Sequence, residues 1–125
     1  MVEDADRPRF IVSFRYAFRG VAWMLRHEPN MRFHLVATVG VLAAAGAFRL
    51  PLEQWAALVF AIALVLLGEI LNTAIEAVLD IVQPGHHELV AIVKDVSAGA
   101  VLVAATGATV IAAIVFVPRF WNLLF

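Results

Sequence analysis

Cysteine is absent from the 125 residues, which excludes disulfide scaffolds and thiolate metal sites. Charge is scarce: 15% of the chain is Asp, Glu, Lys or Arg, where a soluble domain carries about 25%. No excess of one sign exists either. Nine basic residues face ten acidic ones for a net charge of −1, so no nucleic-acid partner is expected. The opening Met1-Val2-Glu3-Asp4-Ala5-Asp6 lacks the basic-then-apolar order of a secretory signal and reads as an uncleaved, solvent-facing start. There is no G-x-x-x-x-G-K-[ST], which excludes a P-loop for any nucleotide. There is no H-E-x-x-H either, and His86-His87-Glu88 reads as a polar loop rather than a zinc site.

What is present is apolar. Hydrophobic residues make up 63% of the chain and the mean hydropathy is +0.92, which excludes a disordered tail and argues against an ordinary soluble domain. Apolar stretches are separated by Arg49-Leu50-Pro51-Leu52-Glu53 and by Gln83-Pro84-Gly85-His86-His87, where proline ends a helix and glycine permits a turn. A membrane helix needs about 20 apolar residues. The pattern predicts one all-α membrane domain over 1–125, with transmembrane helices over 31–48, 53–82 and 92–117. Before them, Phe10, Phe14, Ala17, Phe18, Val21 and Leu25 recur at helical spacing while Arg15, Arg19 and Arg26 take other positions. That pattern predicts an amphipathic helix over 8–28 lying in the membrane interface.

Six of the nine basic residues fall in the first 32 positions. The positive-inside rule then predicts a cytoplasmic N-terminus, with Arg49–Glu53 and the tail Arg119–Phe125 outside and Gln83–Asp95 inside. Trp55 and Trp121 fall at the outer interface in this arrangement.

Ionisable groups within a membrane helix cost about 2.5–3.5 kcal/mol each on insertion scales. Glu69, Asn72, Glu76 and Asp80 step by three, four and four and form one polar stripe, with Thr73 beside it. Lys94-Asp95 opens the third span at the same depth, and Glu28 ends the surface helix there. Carboxylates and the single lysine gathered at one interface suit a divalent cation with a phosphate group, because hard cations take oxygen ligands. The bland alternative is a set of interhelical polar contacts. Two glutamates a heptad apart with a Lys-Asp pair opposite favour the functional reading.

The block Glu69-Ile70-Leu71-Asn72-Thr73-Ala74-Ile75-Glu76-Ala77-Val78-Leu79-Asp80 resembles the signature of the small bacterial integral-membrane diacylglycerol kinase family. His87-Glu88-Leu89 and Lys94-Asp95-Val96-Ser97-Ala98-Gly99-Ala100 are similar to its second block. Ser13–Gly20 and Glu28-Pro29-Asn30-Met31-Arg32-Phe33-His34 resemble the undecaprenol kinase branch. The diacylglycerol branch usually has an acid where His34 stands and serine where Thr73 stands. Pro29, directly after Glu28, leaves the local backbone geometry open.

The resemblance implies a homotrimer of the bacterial inner membrane, with active sites shared between subunits, that transfers phosphate from ATP with magnesium as cofactor. It implies Glu69 as general base on the lipid hydroxyl, helped by Asn72, and Glu28 and Glu76 as magnesium ligands. It further implies Lys94 on the phosphates, Asp95 orienting Lys94 or the nucleotide, and Arg9, Tyr16 and Gly85-His86-His87 lining the nucleotide. Ala17, Arg32, His34 and Thr73 are the candidates to line the lipid beside Glu69. Undecaprenol is the expected acceptor and diacylglycerol the alternative. An ion-coupled transporter and a purely structural membrane subunit are the rivals from other classes.

Overall fold

The computed structural model describes residues 8–125; the expectation for Met1–Asp6 falls outside them. Four helices follow one another: α1 (Arg9–His27), α2 (Pro29–Ala47), α3 (Leu52–Val82) and α4 (Glu88–Leu124). No strand occurs among the described residues. The all-α expectation holds.

Each junction has a local cause. Glu28 takes an extended backbone (φ −108°, ψ 108°), and Pro29 follows in the first turn of α2. Proline is pre-organised for that position and lacks the N–H that would go unbonded there. Pro29 therefore starts a helix, two residues ahead of the expected 31. After α2, Arg49 N–H bonds the Gly46 carbonyl and Leu50 N–H the Ala45 carbonyl, each at 3.2 Å. This double closure of a helix end requires a left-handed residue, and Arg49 supplies it at φ 50°. The tight turn sends α3 back antiparallel to α2.

α4 contains the expected span of 92–117 and runs beyond it at both ends. It begins at Glu88, capped by His87, whose Nδ1 accepts the Leu89 N–H at 3.2 Å. At the other end the helix continues through Pro118, and the expected tail is helical as far as Leu124. Proline removes only one hydrogen bond of the ladder. Contacts beyond it hold the helix on course: Phe120 packs edge-on to Phe48 at 5.1 Å, and Arg119 Nη1 donates to the Val115 carbonyl at 2.5 Å.

α3 and α4 are each long and apolar enough to cross a membrane. α2, whose first turns carry Asn30, Arg32 and His34, does not meet the same measure. α1 keeps Phe10, Phe14, Phe18 and Trp23 exposed and buries only Met24. The buried core is at the end where α2 finishes and α3 begins. There Ala45, Leu50, Leu58 and Val115 pack with Phe48, Trp55 and Phe116.

Candidate functional site

Polar groups gather at the opposite end of α3 from this core. α3 and α4 pack along one antiparallel register. A Cβ on Gly68 would sit 3.7 Å from Val101, and four residues further along each helix Ser97 Oγ donates to Asn72 Oδ1 at 2.7 Å. Ser97 is buried and Asn72 half-buried. The small residues let the helices approach, and the hydroxyl–amide bond locks the register.

In the same register Lys94 stands level with Ile75 and Glu76. Its side chain reaches one turn further, to Asp80 Oδ1 at 2.5 Å. Glu76 is close enough to act on the ammonium by its charge. The single lysine is thus bonded to the last acid of the stripe and leaves the Glu76 oxygens unbonded by it. The sequence placed these residues at one depth; the pairing itself emerges only from the register.

Glu69 differs from its neighbours. It is 4% exposed, the one buried carboxylate among the described residues. Its Oε1 lies 3.1 Å from His34 Nε2, across from α3 to α2. Glu28 comes six residues before His34 and Glu76 seven after Glu69, on antiparallel helices. At a rise of about 1.5 Å per residue, both acids stand roughly 9–10 Å beyond the His34–Glu69 pair in the same direction. Neither carboxylate is held by an ion pair or a protein hydrogen bond among the described residues. Asp95 is exposed, with no ion pair or protein hydrogen bond among the described residues.

The remaining expected residues are spread along the surface. Arg9 and Ala17 are exposed on α1. Tyr16 carries the Arg19 guanidinium over its ring at 5.7 Å. Arg32 is exposed and donates to the Arg26 carbonyl at 3.3 Å, tying α2 to the end of α1. Thr73 is half-buried beside Asn72; Gly85 and His86 lie exposed in the α3–α4 loop, and His87 caps α4.

No three acidic or histidine side chains converge on a point among the described residues, so one chain does not form a protein-only metal cage. Magnesium does not ask for one. It binds through one or two carboxylates plus waters and substrate phosphates. Two carboxylates without protein partners at one level, Glu28 and Glu76, are a donor set of that kind, and the residues fit the ion.

Comparison with known proteins gives one family. The profile of a family described as prokaryotic diacylglycerol kinase matches residues 15–116. The chain is 39% identical over 118 residues to a diacylglycerol kinase of Synechocystis sp., covering 94% of this chain and 67% of that one. It is 36% identical over 111 residues to an undecaprenol kinase of Bacillus subtilis, covering 89% and 90%. With a diacylglycerol kinase of Escherichia coli it shares 34% identity over 98 residues, covering 77% and 79%.

Proposed function

The chain belongs to the prokaryotic diacylglycerol kinase family and is a lipid kinase; from that premise we propose that it transfers the γ-phosphoryl group of ATP to the hydroxyl of undecaprenol. The observation that carries the reading is Glu69, a carboxylate 4% exposed within an apolar helix, whose partner His34 lines an apolar groove. Burying such a group has a cost that a base for a hydroxyl at headgroup depth explains.

In this reading the acceptor oxygen bonds to the γ-phosphorus while the bond to the bridging β–γ oxygen breaks and ADP departs. The hydroxyl proton passes to Glu69, and Asn72 keeps that stretch of α3 in register through Ser97. Lys94, bonded to Asp80 in this structure, swings to the phosphates and neutralises charge. Glu28 and Glu76 would hold magnesium, which would supply positive charge to offset that of the phosphates. Positioning and charge neutralisation are what phosphoryl transfer needs. Asp95 orients Lys94 or the nucleotide, while Arg9, Tyr16 and the Gly85-His86-His87 loop line the nucleotide. Ala17, Arg32 and Thr73 line the lipid headgroup.

Two features favour a polyprenol over diacylglycerol. The groove beside Glu69 has few polar groups to match glycerol esters, and an unmatched buried polar group costs about 1–3 kcal/mol. The undecaprenol kinase relative also aligns over nine-tenths of both chains. Purified protein given magnesium, ATP and each lipid in turn should show the higher kcat/KM with undecaprenol, since that ratio reports discrimination directly. A clear preference for diacylglycerol would reverse the acceptor assignment, and no product from either would remove the site reading.

The arrangement we propose in the membrane has α2, α3 and α4 as three spans, α1 on the inner surface and the N-terminus cytoplasmic, in the bacterial inner membrane. Three copies assemble around the stripe. Among the described residues of a single chain Glu28 and Glu76 have no ion pair or hydrogen bond and α1 is largely uncovered, and lipid does not solvate such groups. A native mass of three chains in detergent is the expected result.

A further inference from the structure

His34 does two things at once. Its Nε2 lies 3.1 Å from Glu69 Oε1, with the two side chains 20% and 6% exposed. Its ring also lines a cavity of about 310 Å³ between α2, α3 and α4, with Phe33, Ala37, Leu58, Val65 and Ala108 among its walls. The two threonines of that cavity turn their hydroxyls to their own helices, Thr38 to the His34 carbonyl at 2.7 Å and Thr109 to the Ala105 carbonyl at 2.8 Å. The imidazole is therefore the polar feature that a hydroxyl on an apolar chain meets in this groove. Phe33 stands edge-on to the ring at 5.5 Å and restricts it.

Other ionisable groups do not compete for this contact. α4 has none between Asp95 and Arg119, α3 offers only Glu69 at this level, and Arg32 of α2 reaches back to Arg26. At the end of α1, His27 Nδ1 pairs with the Trp23 carbonyl at 2.9 Å.

We propose that His34 is a positioning residue for Glu69. By holding Oε1 from α2 it fixes the carboxylate rotamer and leaves Oε2 to take the proton of the acceptor hydroxyl. The inference rests on Glu69 being the base. It explains why an imidazole, which can donate to a carboxylate, serves at this position. A misplacement of about 1 Å in a reacting group can cost roughly 100-fold in rate, and a loss of that order is what releasing Oε1 should produce.

The test is steady-state kinetics of the full chain in detergent with undecaprenol and Mg-ATP. His34→Ala should lower kcat about 100-fold while both KM values stay within about threefold. His34→Gln places an amide N–H at the reach of Nε2 and should recover at least tenfold of that loss. In the Glu69→Gln background, His34→Ala should remove nothing further, because the two act as a unit. If the alanine variant does not fold, His34→Phe fills the space without a donor and should show the same split. A raised lipid KM with normal kcat would overturn the proposal and make the ring a wall of the groove. Equal kcat for the Ala and Gln variants would overturn it too. An active Glu69→Gln enzyme would instead overturn the base assignment, whereas an inactive one beside a normal His34→Ala enzyme overturns only this inference.

Discussion

The two ends of the helix bundle are built on different principles. At the Leu58 end, three helices close on an apolar core with Leu58 2%, Val115 3% and Ala45 0% exposed. At the Glu69–Asp80 end, helices meet through hydrogen-bonded and charged pairs, and α1 packs mainly against α2. The first end can stand complete in one chain. The second leaves Glu28, Glu76 and Asp95 with unused oxygen atoms, which suits nucleotide, metal and neighbouring subunits. Stability and chemistry are therefore separable, and substitutions at each end should show it.

The largest effect belongs to the polar end. Glu69→Gln keeps shape and removes proton acceptance, so turnover should fall by about 10²–10⁴, the usual worth of a general base. Mg-ATP binding and the unfolding midpoint should stay near those of the parent. Near-normal turnover would demote Glu69 to an interhelical contact and erase the distinction between the ends.

At the apolar end the sign of the outcome reverses. Leu58→Ala deletes the largest fully buried side chain of the core and should cost about 2–5 kcal/mol of stability. Because Leu58 also walls the groove that His34 lines, the lipid KM should rise, while kcat per folded molecule changes little. A large loss of kcat in protein that remains folded would mean that the core transmits its packing to Glu69 through α3.

A smaller effect tests the unused acids. Glu28→Gln and Glu76→Gln should each raise the magnesium concentration needed for half-maximal rate by roughly tenfold, with the lipid KM unaffected, because each removes one anionic oxygen donor. Metal titration at fixed ATP measures it. An unchanged titration for both would take the metal away from this level.

The sequence disclosed these ends unequally. The stripe of Glu69, Asn72, Glu76 and Asp80 was legible because steps of three and four on an apolar run can mean only one face of a helix. The pairs Asn72–Ser97, Asp80–Lys94 and His34–Glu69 were not, since each depends on the register of two helices far apart in sequence. His34 was legible as a departure in a family motif, but not as the partner of Glu69. Helix ends were readable where a turn residue coincides with lost packing, as at Pro84-Gly85. The continuation through Pro118 was not readable, because it goes with the contact of Phe120 against Phe48 past the proline.

The smallest effect is at the turn that joins α2 to α3. Arg49 holds a left-handed backbone at φ 50°, which a β-carbon disfavours, and its side chain has no ion pair or hydrogen bond among the described residues. The position is the one that glycine usually fills when a helix closes with this pair of backbone bonds. Arg49→Gly relieves the steric cost, of order 1 kcal/mol, but gives back part of it by loosening the unfolded chain. The balance should be a gain of about 0.5 kcal/mol, read as a small rise in the unfolding midpoint in detergent with kcat unchanged. A clear fall would show that the guanidinium anchors the turn at the membrane surface, and that this end, too, depends on more than its apolar core.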